Sequence, residues 1–154
     1  MDGFNIAVKY LRGKSHTVKE VKEHLLSKEI DESDVKETIK KLSELSYVDD
    51  LKYAVNYVRE GYYKGKGKNR ICLELYSKGV GKIDFNKALA LLYKEEGISF
   101  EYKEEFERGE KLAKAMTEGK EIDKRLLSKV ARKLEAQGYD QDIIYNILGQ
   151  VMDS

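Results

Sequence analysis

Proline is absent from all 154 residues, although average usage of about 5% would supply several. The commonest helix breaker is therefore missing. There is one cysteine, Cys72, which excludes an intramolecular disulfide and fits a reducing compartment. Flanked by Ile71 and Leu73, it reads better as a small buried hydrophobe than as a nucleophile. No apolar run approaches the ~18 residues of a membrane span, and the N-terminus lacks a signal peptide's apolar stretch, so a cytoplasmic protein is expected. Charge excess is lacking as well. Lys and Arg number 29 against 28 Asp and Glu, a net +1, so the chain is no general polyanion binder and any basic surface must be local. The two histidines, His16 and His24, have neither cysteine partners nor an HExxH frame, and no metal or other cofactor is expected. No GxSxG-type nucleophile frame occurs. Asp49 and Asp50 directly precede LKYAVNYV and suit helix capping better than catalysis.

What remains is helical periodicity. Apolar residues recur at helical spacing through Val21 and Leu25, then Val35, Ile39 and Leu42, then Phe85, Leu89 and Leu92, then Val130 and Leu134, then Ile144, Leu148 and Val151. Thr17 followed by Glu20 is a capping-box pattern, and Asp31, Asp49, Asp84 and Asp140 stand where later helices should begin. The expectation is an all-α protein of about nine helices and no sheet.

Internal repetition organises those helices. HLLSKEI (24–30), ELYSKGV (74–80) and KLEAQGY (133–139) align without gaps, and the register extends outward. Val21, Ile71 and Val130 correspond, as do Leu25, Leu75 and Leu134, and Leu42, Leu92 and Val151. Each copy carries an earlier helix marked by Ala7 with Tyr10, Ala54 with Tyr57, and Ala113 with Met116. Three three-helix repeats follow, at 1–48, 49–98 and 99–154, in an elongated tandem array. Gly79 and Gly138 suit a left-handed cap between second and third helices, where the first copy has Glu29. The 93–105 stretch, with its glutamates and Gly97, reads as a flexible joint. Its acids read as a solvated face, with Glu104–Arg108, Glu107–Lys111 and Glu110–Lys114 at i,i+4 spacing.

The densest local charge in this reading is YYKGKGKNR (62–70). It follows a helix rather than a strand and matches neither GxxxxGK[ST] nor GxGxxG, so a nucleotide cradle is not expected. Two readings stay open: a mobile segment whose Lys64, Lys66, Lys68 and Arg70 meet phosphate or an acidic protein groove, or a solvated interhelix turn. Tyr62 and Tyr63 adjoin it and are candidate contacts. Tyr10, Tyr57, Tyr76, Tyr93 and Tyr139 fall on apolar faces and are expected mostly in cores.

YVDDLKYAVNYVRE (47–60), the basic loop and RICLELYSKGV (70–80) together resemble the central signature of the RecX regulatory proteins. The matching positions are Asp50, Tyr53, Ala54, Lys66, Gly67, Arg70, Ile71, Leu75, Lys78 and Gly79. LEAQGYDQDII is similar to that family's closing element, whereas Glu29 departs from its usual glycine. The resemblance implies a non-enzymatic, monomeric regulator of the RecA recombinase, lying in the groove of the RecA filament on single-stranded DNA. Such a protein would limit filament growth, ATP hydrolysis, strand exchange and coprotease stimulation, and some relatives would touch DNA directly. Lys64, Lys66, Lys68, Arg70, Lys78, Tyr62 and Tyr63 are the implied partner-binding residues. A stand-alone helical DNA-binding module is the alternative.

Overall fold

The computed structural model describes residues 2–153, and among these the chain forms nine α-helices and no strand. They are α1 (Gly3–Leu11), α2 (Val18–Ser27), α3 (Glu32–Glu44), α4 (Asp50–Tyr63), α5 (Lys68–Ser77), α6 (Lys82–Glu96), α7 (Tyr102–Thr117), α8 (Lys124–Ala136) and α9 (Gln141–Met152). The capping box at Thr17 is complete: its side chain accepts from the Glu20 N–H, and Glu20 accepts from the Thr17 N–H. Asp31 and Asp49 cap α3 and α4 as their positions predict. Asp84 does not cap. Helix α6 starts earlier, after Gly81, which puts Asp84 in its first turn, where a negative charge complements the exposed N–H groups. Asp123 is a further cap, accepting from the Leu126 N–H.

Buried side chains fall into three clusters, one for each consecutive trio of helices. The repeat register holds through them. Ala7, Ala54 and Ala113, Val21, Ile71 and Val130, and Leu25, Leu75 and Leu134 are all fully buried. In the middle and last units the first helix packs most extensively on the third, α4 on α6 and α7 on α9, and burying each leucine contributes about 1.5–3 kcal/mol. The end of each second helix repeats as well. The N–H groups of Ile30, Val80 and Tyr139 close on the carbonyls of Leu25, Leu75 and Leu134, with left-handed Glu29, Gly79 and Gly138 just before them. This is the Schellman arrangement in triplicate.

Three expectations are corrected. Tyr76 and Tyr93 are not core residues but 72% and 64% exposed, because each follows a core leucine, Leu75 or Leu92, and so points about 100° away from it. The 93–105 stretch is not a loose joint. Helix α6 continues to Glu96, only residues 97–101 connect it to α7, and Ile98 of that connection is buried in the middle core. Nor are its acids all solvated. Glu105 is 2% exposed, and of the three i,i+4 pairs only Glu110–Lys114 closes, at 3.5 Å. Arg108 turns instead to main-chain carbonyls of the preceding unit. The histidines serve as ring surfaces: Tyr10 is stacked against both His16 and His24 at 3.9 Å.

Candidate functional site

The basic segment is built into a junction between units. Helix α4 ends at Tyr63 and α5 begins at Lys68, leaving four linking residues whose main chain is held from the third unit. The Gly67 N–H donates to the Gln137 carbonyl at 2.6 Å, and the Tyr139 hydroxyl donates to the Gly65 carbonyl at 2.9 Å. One guanidinium nitrogen of Arg108 donates to the carbonyls of Tyr62 and Lys66, at 2.6 and 2.8 Å. The same guanidinium lies 4.3 Å from the centre of the Tyr62 ring. Main-chain groups that would be orphaned at the end of α4 and the start of α5 are thereby satisfied, and the segment is neither mobile nor a freely solvated turn.

Its cations divide accordingly. Lys66 and Arg70 both pair with Glu74, at 2.7 and 3.2 Å, and the Tyr57 hydroxyl donates to the same carboxylate at 2.8 Å. Burial pushes the Glu74 carboxyl up, but the hydrogen bonds from Lys66, Tyr57 and Arg70 outweigh it and hold the group at about 2. Arg70 also reaches the Gln137 side chain. Lys78 lies at the other end of α5, 3.9 Å from Glu20 and over the Tyr57 ring. Tyr62 packs edge-on against Phe100. Lys64, Lys68 and Tyr63 point outward, and neither ammonium group makes an ion pair or hydrogen bond among the described residues. The structure thus brings Lys64, Lys66, Lys68, Arg70, Tyr62 and Tyr63 to one junction, leaves the Lys64 and Lys68 ammonium groups free, sets the exposed Tyr63 ring edge-on to Tyr62, and puts Lys78 at a different junction.

Both junctions use the same plan, which single-residue pattern reading does not reach. At the first, the N-terminus of α2 meets the C-terminus of α5. The Thr17 hydroxyl donates to the Lys78 carbonyl at 2.6 Å, Lys19 Nζ donates to the Ser77 carbonyl at 3.2 Å, and the Val18 N–H donates to Asp50 at 2.9 Å. At the second, the N-terminus of α5 meets the C-terminus of α8 through Gly67 and Gln137, and the Lys68 N–H donates to Glu105 at 2.7 Å. Orphan donors of one helix face orphan acceptors of the next, while a carboxylate from the following unit caps the donor end. Burial raises both carboxyls. The Val18 N–H partly offsets this for Asp50; Glu105 reaches about 7 despite the Lys68 N–H and the Arg108 guanidinium.

Sequence reading also passed over α8. Lys124, Arg125, Lys129, Arg132 and Lys133 are all exposed, a density visible in KRLLSKVARK once its apolar residues are assigned to the opposite face. Among the described residues, no group of His, Cys, Asp and Glu is arranged to hold a metal ion, and no helix is long and apolar enough to cross a membrane.

Comparison with known proteins matches this architecture. Residues 4–42 fit the model of the first three-helix domain of RecX, and residues 49–89 that of the second. The regulatory protein RecX of Leuconostoc mesenteroides is 32% identical over 96% of this chain, which spans 54% of that protein. The RecX protein of Clostridioides difficile is also 32% identical, over 97% of this chain and 68% of its own length. The crystal structure of RecX from Lactobacillus salivarius superposes with a TM-score of 0.77 at 30% identity, covering 99% of this chain and 96% of that one. With both family models and the fold in agreement, the chain belongs to the RecX family of regulatory proteins.

Proposed function

We propose that this protein is a mainly negative regulator of the RecA recombinase, binding in the groove of the RecA filament on single-stranded DNA. It limits filament growth, ATP hydrolysis, strand exchange and coprotease stimulation by occupying the groove, as a cytoplasmic monomer with no chemistry of its own. The observation that carries this reading is the end-to-end junction of α8, α5 and α2. It links about 50 Å of helix contour across units 1–48, 49–98 and 99–154, so that consecutive repeats meet an extended partner in a fixed order. Two chemistries are exposed along it. On the middle unit a cleft is lined by Cys72, Leu73, Tyr76 and Val80, with Leu73 70% exposed, an apolar face suited to protein contact. Beside the second junction the free Lys64 and Lys68 suit phosphate, with Tyr63 available for stacking.

The test is the single-stranded-DNA-dependent ATPase of the recombinase, measured with and without the protein. A fall in steady-state hydrolysis is expected, together with weaker binding to naked DNA than to recombinase-coated DNA at equal salt. Unchanged hydrolysis at saturating protein removes the reading. Equal binding to both forms of DNA favours the stand-alone DNA-binding module.

A further inference from the structure

We propose that the exposed face of α8 is a binding surface for the phosphate backbone of single-stranded nucleic acid, and that it contributes more phosphate contacts than the glycine-rich segment. This deepens the filament reading by assigning the polyanion contact to a different element, yet it concerns naked nucleic acid and stands or falls separately.

Residues 124–133 carry five cations and no acid, so the other 144 residues sum to a net charge of −4. Arg125, Lys129 and Lys133 follow at i, i+4 and i+8, and Arg132 lies one turn from Lys129. Lys124 opens the helix at the edge of this face. Leu126, Leu127, Val130, Ala131 and Leu134 turn the other way into the third core. None of the five cations makes an ion pair, hydrogen bond or ring contact among the described residues. Some cations elsewhere are neutralised within the fold, as Arg59 is by Glu96, Lys66 and Arg70 by Glu74, and Lys114 by Glu110; among the described residues, no other segment gathers five unpaired cations on one helix. On α8 the one acid is Glu135, in the last turn.

Like charges at i,i+3 and i,i+4 weaken a helix, and nothing in the fold offsets that here, so the complement is an external anion. The five cations span about 13 Å of helix, which calls for a linear anion rather than a single ion. Between them the exposed surface offers Ser128 and no apolar side chain. A protein partner would need apolar or aromatic anchors in such a face, and lysine is depleted at the centre of protein interfaces. Backbone phosphate needs only positive charge and hydrogen-bond donors. The C-terminus of α8 abuts the second junction through Gln137, where Lys64 and Lys68 are the free cations.

The experiment measures binding of the full chain to a fluorescent single-stranded oligonucleotide between 50 and 200 mM salt. If all five cations engage, each contributes about 0.7 to the log-log slope, so affinity falls about 130-fold over that range. The variant Lys129→Gln, Arg132→Gln and Lys133→Gln is expected to lose only about 7-fold while keeping its helical circular dichroism. The variant Lys64→Gln and Lys68→Gln is expected to shift the slope less. A triple variant with the wild-type slope overturns the proposal, as does a larger effect from the Lys64 and Lys68 pair. Displacement of the oligonucleotide by poly-glutamate at equal charge concentration overturns nucleic acid as the occupant. Failure of recombinase inhibition by the wild-type protein, with the salt slopes as expected, overturns only the filament reading.

Discussion

The two junctions join helix ends in the same sense but seal them to different degrees. At the first, contact runs largely through side chains: Thr17 and Lys19 reach carbonyls at the end of α5. At the second it is main chain against main chain, Gly67 on Gln137, with Arg108 clamping two carbonyls. Glycine at the joint shows the difference. A Cβ on Gly79 would sit 2.4 Å from the Lys19 Cβ, whereas one on Gly138 would sit 2.4 Å from the backbone nitrogen of Arg70. Neither atom can rotate aside, because a lysine Cβ is fixed by its own backbone, but only at the second junction is the obstacle the main chain itself. The lesson is that units with separate cores can be set in order by pairing of helix ends.

The strongest way to break this comparison is Gly138→Ala. The residue has φ +95°, so the substitution adds backbone strain to overpacking, and a loss of about 3–4 kcal/mol in urea denaturation is expected from the two. Gly79→Ala carries the same kind of strain, at φ +88°, and meets the Lys19 Cβ just as closely, so a loss of similar size is expected. A clearly smaller loss for Gly79→Ala would show that α2 shifts to relieve the contact at the first junction, where the main chain at the second does not.

Next in size is the pH dependence contributed by Glu105. Below its ordinary value of 4.5 the carboxyl is protonated in both folded and unfolded chains. Between 4.5 and about 7 the unfolded chain ionises while the buried group holds its proton, so stability falls as pH rises through that window and then levels. The whole fall is up to about 3 kcal/mol. Glu105→Gln keeps an acceptor for the Lys68 N–H and should flatten that part of the curve in a series of melts from pH 4 to 8. Asp50→Asn should remove a smaller slope of the same sign at the first junction. A wild-type profile that rises between pH 5 and 7 would contradict the assignment.

Arg108→Ala follows, at about 2 kcal/mol, since it removes a charged donor from two carbonyls and a cation from the faces of Tyr62 and Phe100. If the second junction is the tighter because of this clamp, limited proteolysis of the variant should open at 64–67 before it touches 97–101. First cleavage at 97–101 would place the weaker link there instead.

These effects also mark where sequence reading succeeds and stops. The repeat register was legible because Leu25, Leu75 and Leu134 recur with fixed flanks, and burial depends on periodicity that composition carries. The fate of Lys66 and Arg70 was not legible. Glu74 lies at i+8 and i+4 from them, but the Tyr57 hydroxyl that completes the cluster comes from the preceding helix. Glu105 sat among seven glutamates between 95 and 110, and only the position of the α5 N-terminus separates the buried one from the solvated ones. Helix α8 was legible in principle: five cations in ten residues are plain once the apolar residues between them are read as the opposite face.

The smallest effect tests the same glycine logic where no junction exists. Glu29 occupies the position of Gly79 and Gly138 with φ +63°, and its N–H makes the corresponding bond, to the Leu26 carbonyl at 3.0 Å. It is exposed, and no helix N-terminus among the described residues stacks upon it. The close approach that demands glycine at the two junctions is therefore missing, leaving only the left-handed cost of about 1–2 kcal/mol. Glu29→Gly removes that cost but adds unfolded-state entropy of about 0.5–1 kcal/mol. A net gain of about 0.5 kcal/mol is expected, or about 1–2 °C in Tm. Glu29→Ala keeps the strain and removes only the charge, so it should leave Tm unchanged. If alanine stabilises as much as glycine, the side chain's charge and not its backbone angle is the burden at this end of the array, and the first unit's departure from glycine says nothing about stacking.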